Sequence, residues 1–124
     1  MQQLLAIAGG GALGAVLRFG VSNGIYRLFG RDFPYGTLVV NVLGSLLMGL
    51  LFVLLVERMA TSSELRSAIL IGLVGAFTTF STFSFETLAL FNDGDGIKAM
   101  INIVASIIFC IAATWLGMTI GRQL

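Results

Sequence analysis

Gly72-Leu73-Val74-Gly75-Ala76-Phe77-Thr78-Thr79-Phe80-Ser81-Thr82-Phe83-Ser84-Phe85-Glu86 lies in the middle of an otherwise apolar chain. The segment around it is long enough to cross a bilayer, yet it reads as a poor helix. Gly72 and Gly75, then Thr78, Thr79, Ser81 and Thr82, interrupt it, interleaved with Phe77, Phe80, Phe83 and Phe85. Non-helical backbone at bilayer depth is tolerated only where it is buried in protein or lines a wet cavity. The stretch therefore predicts a membrane span broken near its centre, around Gly75 to Thr79. Hydroxyls and aromatic edges side by side at such a break point to a permeation or binding site.

The rest of the chain agrees with a membrane setting. Of 124 residues, 57% are apolar and only 10% charged, with a mean hydropathy of +1.01; a soluble domain carries about a quarter charged residues. The fold class is an all-α membrane protein. The start, Met1-Gln2-Gln3-Leu4, has no basic n-region, so the first apolar segment is expected to stay as a span rather than be cleaved as a signal peptide. The chain has no histidine and a single cysteine, Cys110, which excludes an intrachain disulfide, the common zinc sets and histidine proton relays. A net charge of +1 gives no nucleic-acid footprint. No nucleophile–base pair, metal cluster or nucleotide motif points to an enzyme.

A helical span needs about 20 apolar residues. Four segments qualify, roughly 4–28, 35–57, 66–92 and 97–121, forming one domain over residues 1–124. Gly30-Arg31-Asp32-Phe33-Pro34 holds the only proline, suited to the first turn of a helix. Ala60-Thr61-Ser62-Ser63-Glu64-Leu65 reads as a Ser/Thr cap, and Asn92-Asp93-Gly94-Asp95-Gly96 as a polar turn. An even number of spans puts both termini on one side. That side carries Arg58, Arg66 and Arg122, the other Arg27, Arg31 and Lys98. Orientation follows an excess of Lys and Arg on the cytoplasmic side, and here there is none. The expectation is dual topology and an antiparallel homodimer, an inverted arrangement of the kind many transporters build from internal repeats. The alternative is that another feature, such as the N-terminal amine, fixes one orientation.

Small residues at Gly9-Gly10-Gly11, Gly14, Gly44, Ser45 and Gly49 read as close helix packing, since apolar burial drives nothing in lipid. Arg18 is the sole charge within the first span. A charge there is costly, so Arg18 either snorkels to an interface or faces a water-filled vestibule that draws anions. Asn41, near the middle of span two, offers two N–H donors to an anion, or else bonds a neighbouring helix. Thr37, Ser45, Asn102 and Ser106 carry the same ambiguity.

Phe80 and Phe83 stand at i and i+3 on a helix beginning near residue 79 or 80. Their positive ring edges can solvate a small anion weakly, and conduction needs binding that is firm enough to admit an ion and weak enough to release it. Ser81, Thr82 and Ser84 add hydroxyl donors that replace lost water. The break frees backbone carbonyls, and two such sets at a dimer axis would make an oxygen cage for a hard cation. Glu86 is the only carboxylate near this segment, and one acid makes no proton relay.

Three stretches together resemble the Fluc (CrcB) family of bacterial fluoride channels: Gly10 to Arg18, Gly36-Thr37-Leu38-Val39-Val40-Asn41-Val42-Leu43-Gly44, and Gly72 to Glu86. The Thr78-to-Ser84 run with the upstream asparagine and arginine carries most of the likeness; the fourth span carries less. The resemblance implies an antiparallel, dual-topology homodimer in the bacterial inner membrane, with two separate fluoride pores. Phe80 and Phe83 would line the pores with Asn41 beside them as donor, and Ser81, Thr82, Ser84 and Ser106 would form a polar track. Backbone carbonyls of Gly75 and Thr78 from both subunits would hold a central structural sodium ion, and Arg18 would sit toward the vestibule. Fluoride would leave the cell passively after hydrogen fluoride enters and dissociates. Spacing and composition say only "small anion"; the family supplies fluoride.

Two rivals bracket this reading. A small multidrug-type or proton-coupled transporter is equally short, but exchange of protons for cationic drugs calls for a carboxylate in span one, where this chain has Arg18 and no acid before residue 32. A non-transporting membrane scaffold would use Asn, Ser and Phe for packing alone.

Overall fold

The computed structural model describes all of residues Met1–Leu124, entirely in helices and short connections. Four helical spans are long and apolar enough to cross a membrane: Gln2–Phe29, Tyr35–Arg58, Ser63–Asn92 and Gly96–Gln123. Span one is a single helix, α1 (Gln2–Phe29). Span two is α2 (Tyr35–Phe52) continued by a π-helical turn, Val53–Arg58. Span three begins as α3 (Ser63–Arg66), runs through a second π-helical segment, Ser67–Val74, and the short α4 (Gly75–Phe77). It then breaks and resumes as α5 (Phe80–Asn92). Span four is α6 (Gly96–Gln123). Neither π-helical segment is marked by a proline in the sequence.

Each connection follows its residues. Gly30 ends α1 with a φ of 84°, a left-handed conformation that glycine adopts without a Cβ penalty. Pro34 stands immediately before α2 as its cap residue, where its missing N–H costs nothing. The Ser62 hydroxyl accepts from the Leu65 amide and starts span three. Gly94, with a φ of 83°, turns the chain between α5 and α6.

Glycines set which spans pair. A Cβ at Gly10 would run into the Ala68 carbonyl, and one at Gly14 into the Leu73 carbonyl. From the other side, a Cβ at Gly72 would lie 2.7 Å from the Ile7 carbonyl. Span one and the first half of span three are therefore locked backbone to backbone, the close approach that small residues allow in lipid. Spans two and four interlock in the same way, with Gly49 against the Thr114 carbonyl and Gly117 against the Leu46 carbonyl. The fourth-span partners Gly117 and Gly121 complete a pattern that the first two spans only half display. Apolar burial inside one protomer is thin: Val40, Val53, Val74 and Ala99 are sealed, whereas Phe19, Phe80, Phe85 and Trp115 are exposed. Lipid or protein must cover those faces.

Candidate functional site

The break in span three is confined to two residues. Thr78 (φ −84°, ψ 159°) and Thr79 (φ −152°, ψ 114°) are both extended. Gly75 stays helical, with a φ of −60° and ψ of −39°, so the interruption is narrower than the expected Gly75-to-Thr79 stretch and is made by threonines. The reason lies on span two. The Thr79 N–H, which in a continuous helix would reach back to the Gly75 carbonyl, donates instead to Asn41 Oδ1 at 2.7 Å. Asn41 Nδ2 in turn donates to the Thr79 carbonyl at 3.0 Å. One side-chain amide thus satisfies both backbone polar groups of an unwound residue.

Thr79 also restarts the helix. Its Oγ1 accepts from the Thr82 amide at 3.2 Å, an N-cap, and donates to Thr82 Oγ1 at 3.0 Å. Farther along α5, Thr87 Oγ1 donates to the Phe83 carbonyl at 2.7 Å and accepts from Asn102 Nδ2 at 2.9 Å. Ser106 Oγ closes the chain onto Asn102 Oδ1 at 3.4 Å. Asn102 is only 1% exposed, so its amide, ambiguous in sequence, is a buried tie between spans three and four.

Beside the break runs an open groove of about 400 Å³ lined by Asn41, Gly44, Ser45, Met48, Thr78, Phe80, Phe83, Ser106, Cys110 and Thr114 among others, with no charged side chain. The rings of Phe80 and Phe83 stand 5.3 Å apart, tilted by 44°. Phe80 is 78% exposed, so its ring edge is available to whatever occupies or covers the groove. Gly44 keeps the groove's floor low, because a Cβ there would strike the Thr78 methyl.

Of the residues singled out in sequence, the groove gathers Asn41, Gly44, Ser45, Thr78, Thr79, Phe80, Phe83 and Ser106. Ser81, Thr82 and Ser84 lie outside its lining: Ser81 contacts Thr79 Oγ1 at 3.2 Å, Thr82 is engaged with the cap, and Ser84 donates to the Phe80 carbonyl at 2.9 Å. Gly75 is exposed. Arg18 lies away from the groove and makes no ion pair, the one salt bridge in the chain being Arg122–Glu57 at 3.3 Å. Sequence reading missed Thr114 and Cys110 as groove residues. With Ser106 they recur every four residues, a spacing that puts them on one face of α6 and was the available signal.

Residues 5–118 match the family model described as CrcB-like protein, Camphor Resistance (CrcB). The chain belongs to the CrcB family. Its relatives include three proteins named fluoride-specific ion channel FluC. The one from Methylococcus capsulatus is 55% identical over 98% of this chain, which spans about half (53%) of that longer protein. The one from Hydrogenovibrio crunogenus is 51% identical, covering 98% of this chain and 92% of the relative. The one from Coxiella burnetii is 51% identical over the full length (100%) of both. Family membership and four spans make this a multi-pass protein of the bacterial inner membrane, and not an enzyme.

Proposed function

We propose that the chain is a fluoride-selective channel that lets fluoride leave the cell passively. The observation that carries this reading is the groove: uncharged, at bilayer depth, and lined by the Phe80–Phe83 pair, the Asn41 amide and the hydroxyls of Ser45, Ser106 and Thr114. The relatives' names support fluoride as the ion.

The chemistry follows from the groove's makeup. Fluoride is small and strongly hydrated, so a pore must replace its water with donors. Asn41 spends one Nδ2 hydrogen on Thr79 and keeps a second for an anion. On α6 the hydroxyls of Ser106 and Thr114, eight residues apart with Cys110 between them, donate to an anion by rotating away from Asn102 Oδ1 and the Cys110 carbonyl, and phenylalanine edges offer weak positive potential. With no lysine or arginine in the lining, nothing holds the ion tightly, and a chain of weak sites favours throughput. Ser81 and Ser84, exposed on α5, with the half-buried Thr82 beside the cap, extend the polar track once a second protomer is present.

An open groove at bilayer depth that carries the Asn41 amide and several hydroxyls among apolar walls calls for a protein cover. The proposed cover is a second copy of the chain inserted in the opposite sense, giving an antiparallel homodimer with two pores. Balanced charges on the two sides support dual topology. Arg18, unpaired within the protomer, then faces the vestibule between the copies.

A sodium ion at the dimer axis fits the residues present. The Thr79 N–H turns to Asn41, so the Gly75 carbonyl keeps only a 3.5 Å contact from Thr78 Oγ1. Unwound backbone carbonyls and half-helix ends are the donors that broken helices offer to sodium. Gly75 and Thr78 of both copies would hold the ion, which would supply fixed positive charge and a bridge between the two breaks.

Fluoride efflux from liposomes carrying the purified protein tests the reading. Loss of fluoride with chloride retained supports it. Loss only in step with proton movement replaces it with a coupled transporter, and no efflux from folded protein leaves a scaffold.

A further inference from the structure

Half-helix α5 is pinned at three points. Its start is held by Asn41 and the Thr79 cap, and its middle by Asn102 on Thr87. The third pin is Glu86. Tyr26 Oη donates to Glu86 Oε1 at 3.2 Å, and Thr37 Oγ1 donates to the same oxygen at 2.9 Å. The two hydroxyls lie 3.3 Å apart. Three spans thus meet at one carboxylate oxygen, while Glu86 Oε2 is buried with no partner.

The tyrosine is built into this place. Gly36 leaves the space for its ring, since a Cβ there would lie 2.5 Å from Tyr26 Cε2. Arg31 covers the ring, its Cζ 4.6 Å from the centroid, and is itself held by Asn23 Oδ1 at 3.3 Å. The loop between spans one and two is thereby stacked on the residue that grips α5. Glu86 follows Phe83 by three positions, on the same side of the helix. Turning Glu86 turns the ring.

We propose that Tyr26 is a positioning residue for permeation. With Thr37 it holds Glu86 in one orientation, and through Glu86 it sets the roll of α5 and hence the Phe80–Phe83 pair. The inference rests on the channel reading. It also accounts for the unpartnered Oε2, because both available donors converge on the other oxygen.

Single-channel recording in planar bilayers tests it, because a role in folding alone changes the number of active channels and leaves the unitary current untouched. Tyr26→Phe keeps the ring, its Gly36 seat and the Arg31 stack, and removes only the hydroxyl. The unitary fluoride current is expected to fall by about ten-fold, the scale of one charge-assisted hydrogen bond. Thr37→Val, which removes the other donor, is expected to act in the same direction. Wild-type unitary current in either variant overturns the proposal. Wild-type protein that passes no fluoride overturns the channel reading itself, so the two failures are distinguishable.

Discussion

Asn41 and Thr79 exchange two hydrogen bonds, the amide N–H of Thr79 to Asn41 Oδ1 at 2.7 Å and Asn41 Nδ2 to the Thr79 carbonyl at 3.0 Å. A side chain on span two therefore maintains an extended peptide inside span three. Asn41→Leu leaves both the N–H and the carbonyl of Thr79 unpaired, at about 1–3 kcal/mol each. We expect lost flux together with a lower thermal midpoint in detergent. Asn41→Asp keeps the acceptor and loses the donor, and should fall between the two. Equal stability of all three proteins would show that the break holds itself open.

Phe80 behaves differently from Asn41. Its ring is 78% exposed in the protomer, so Phe80→Ile removes little packing there. The expected result is a fall in fluoride flux of about ten-fold or more, equivalent to about 1.4 kcal/mol of barrier, with an unchanged elution profile. Phe83→Ile should act alike. Retained flux in both would remove the aromatic pathway.

The glycines divide into two classes with different predicted phenotypes. Gly14→Val drives a side chain into the Leu73 backbone, and Gly117→Val into that of Leu46; both should yield misfolded or aggregated protein. At Gly75 an added Cβ meets only the Leu70 carbonyl at 3.4 Å, ordinary contact. A larger residue at Gly75 is thus not excluded by its own protomer. Gly75→Val should fold as a monomer and fail to dimerise, read by light scattering in detergent. A stable Gly75→Val dimer would argue against a close axis there.

The carbonyl cage carries its own prediction. Replacing sodium with a large organic cation should dissociate the dimer and stop flux, and restoring sodium should recover both. Dimer and flux indifferent to the exchange would remove the ion from the account.

Much of this was legible in the chain because bilayer physics leaves few options. Four apolar runs and their caps gave the spans to within a few residues, with Ser62 and Gly94 in their expected roles. The break was legible from Thr78 and Thr79, but its extent was not. Gly72 and Gly75 read as helix breakers, yet Gly72 serves packing against span one and Gly75 remains helical. What decides the break is a contact between residues 38 positions apart, which local propensity cannot express. For the same reason the convergence of Tyr26, Thr37 and Glu86 had no signal in a linear reading, since each residue is unremarkable within its own span. The Ser106–Cys110–Thr114 column was periodic in sequence and became meaningful only beside Phe80 and Phe83.

Selective conduction is tested by efflux from liposomes loaded with fluoride and chloride together. Both ions would be followed by selective electrodes, with valinomycin clamping the charge. A fluoride-selective channel gives rapid fluoride loss with chloride retained and no dependence on a proton gradient. Equal loss of both anions, or none of either from correctly folded protein, would contradict it.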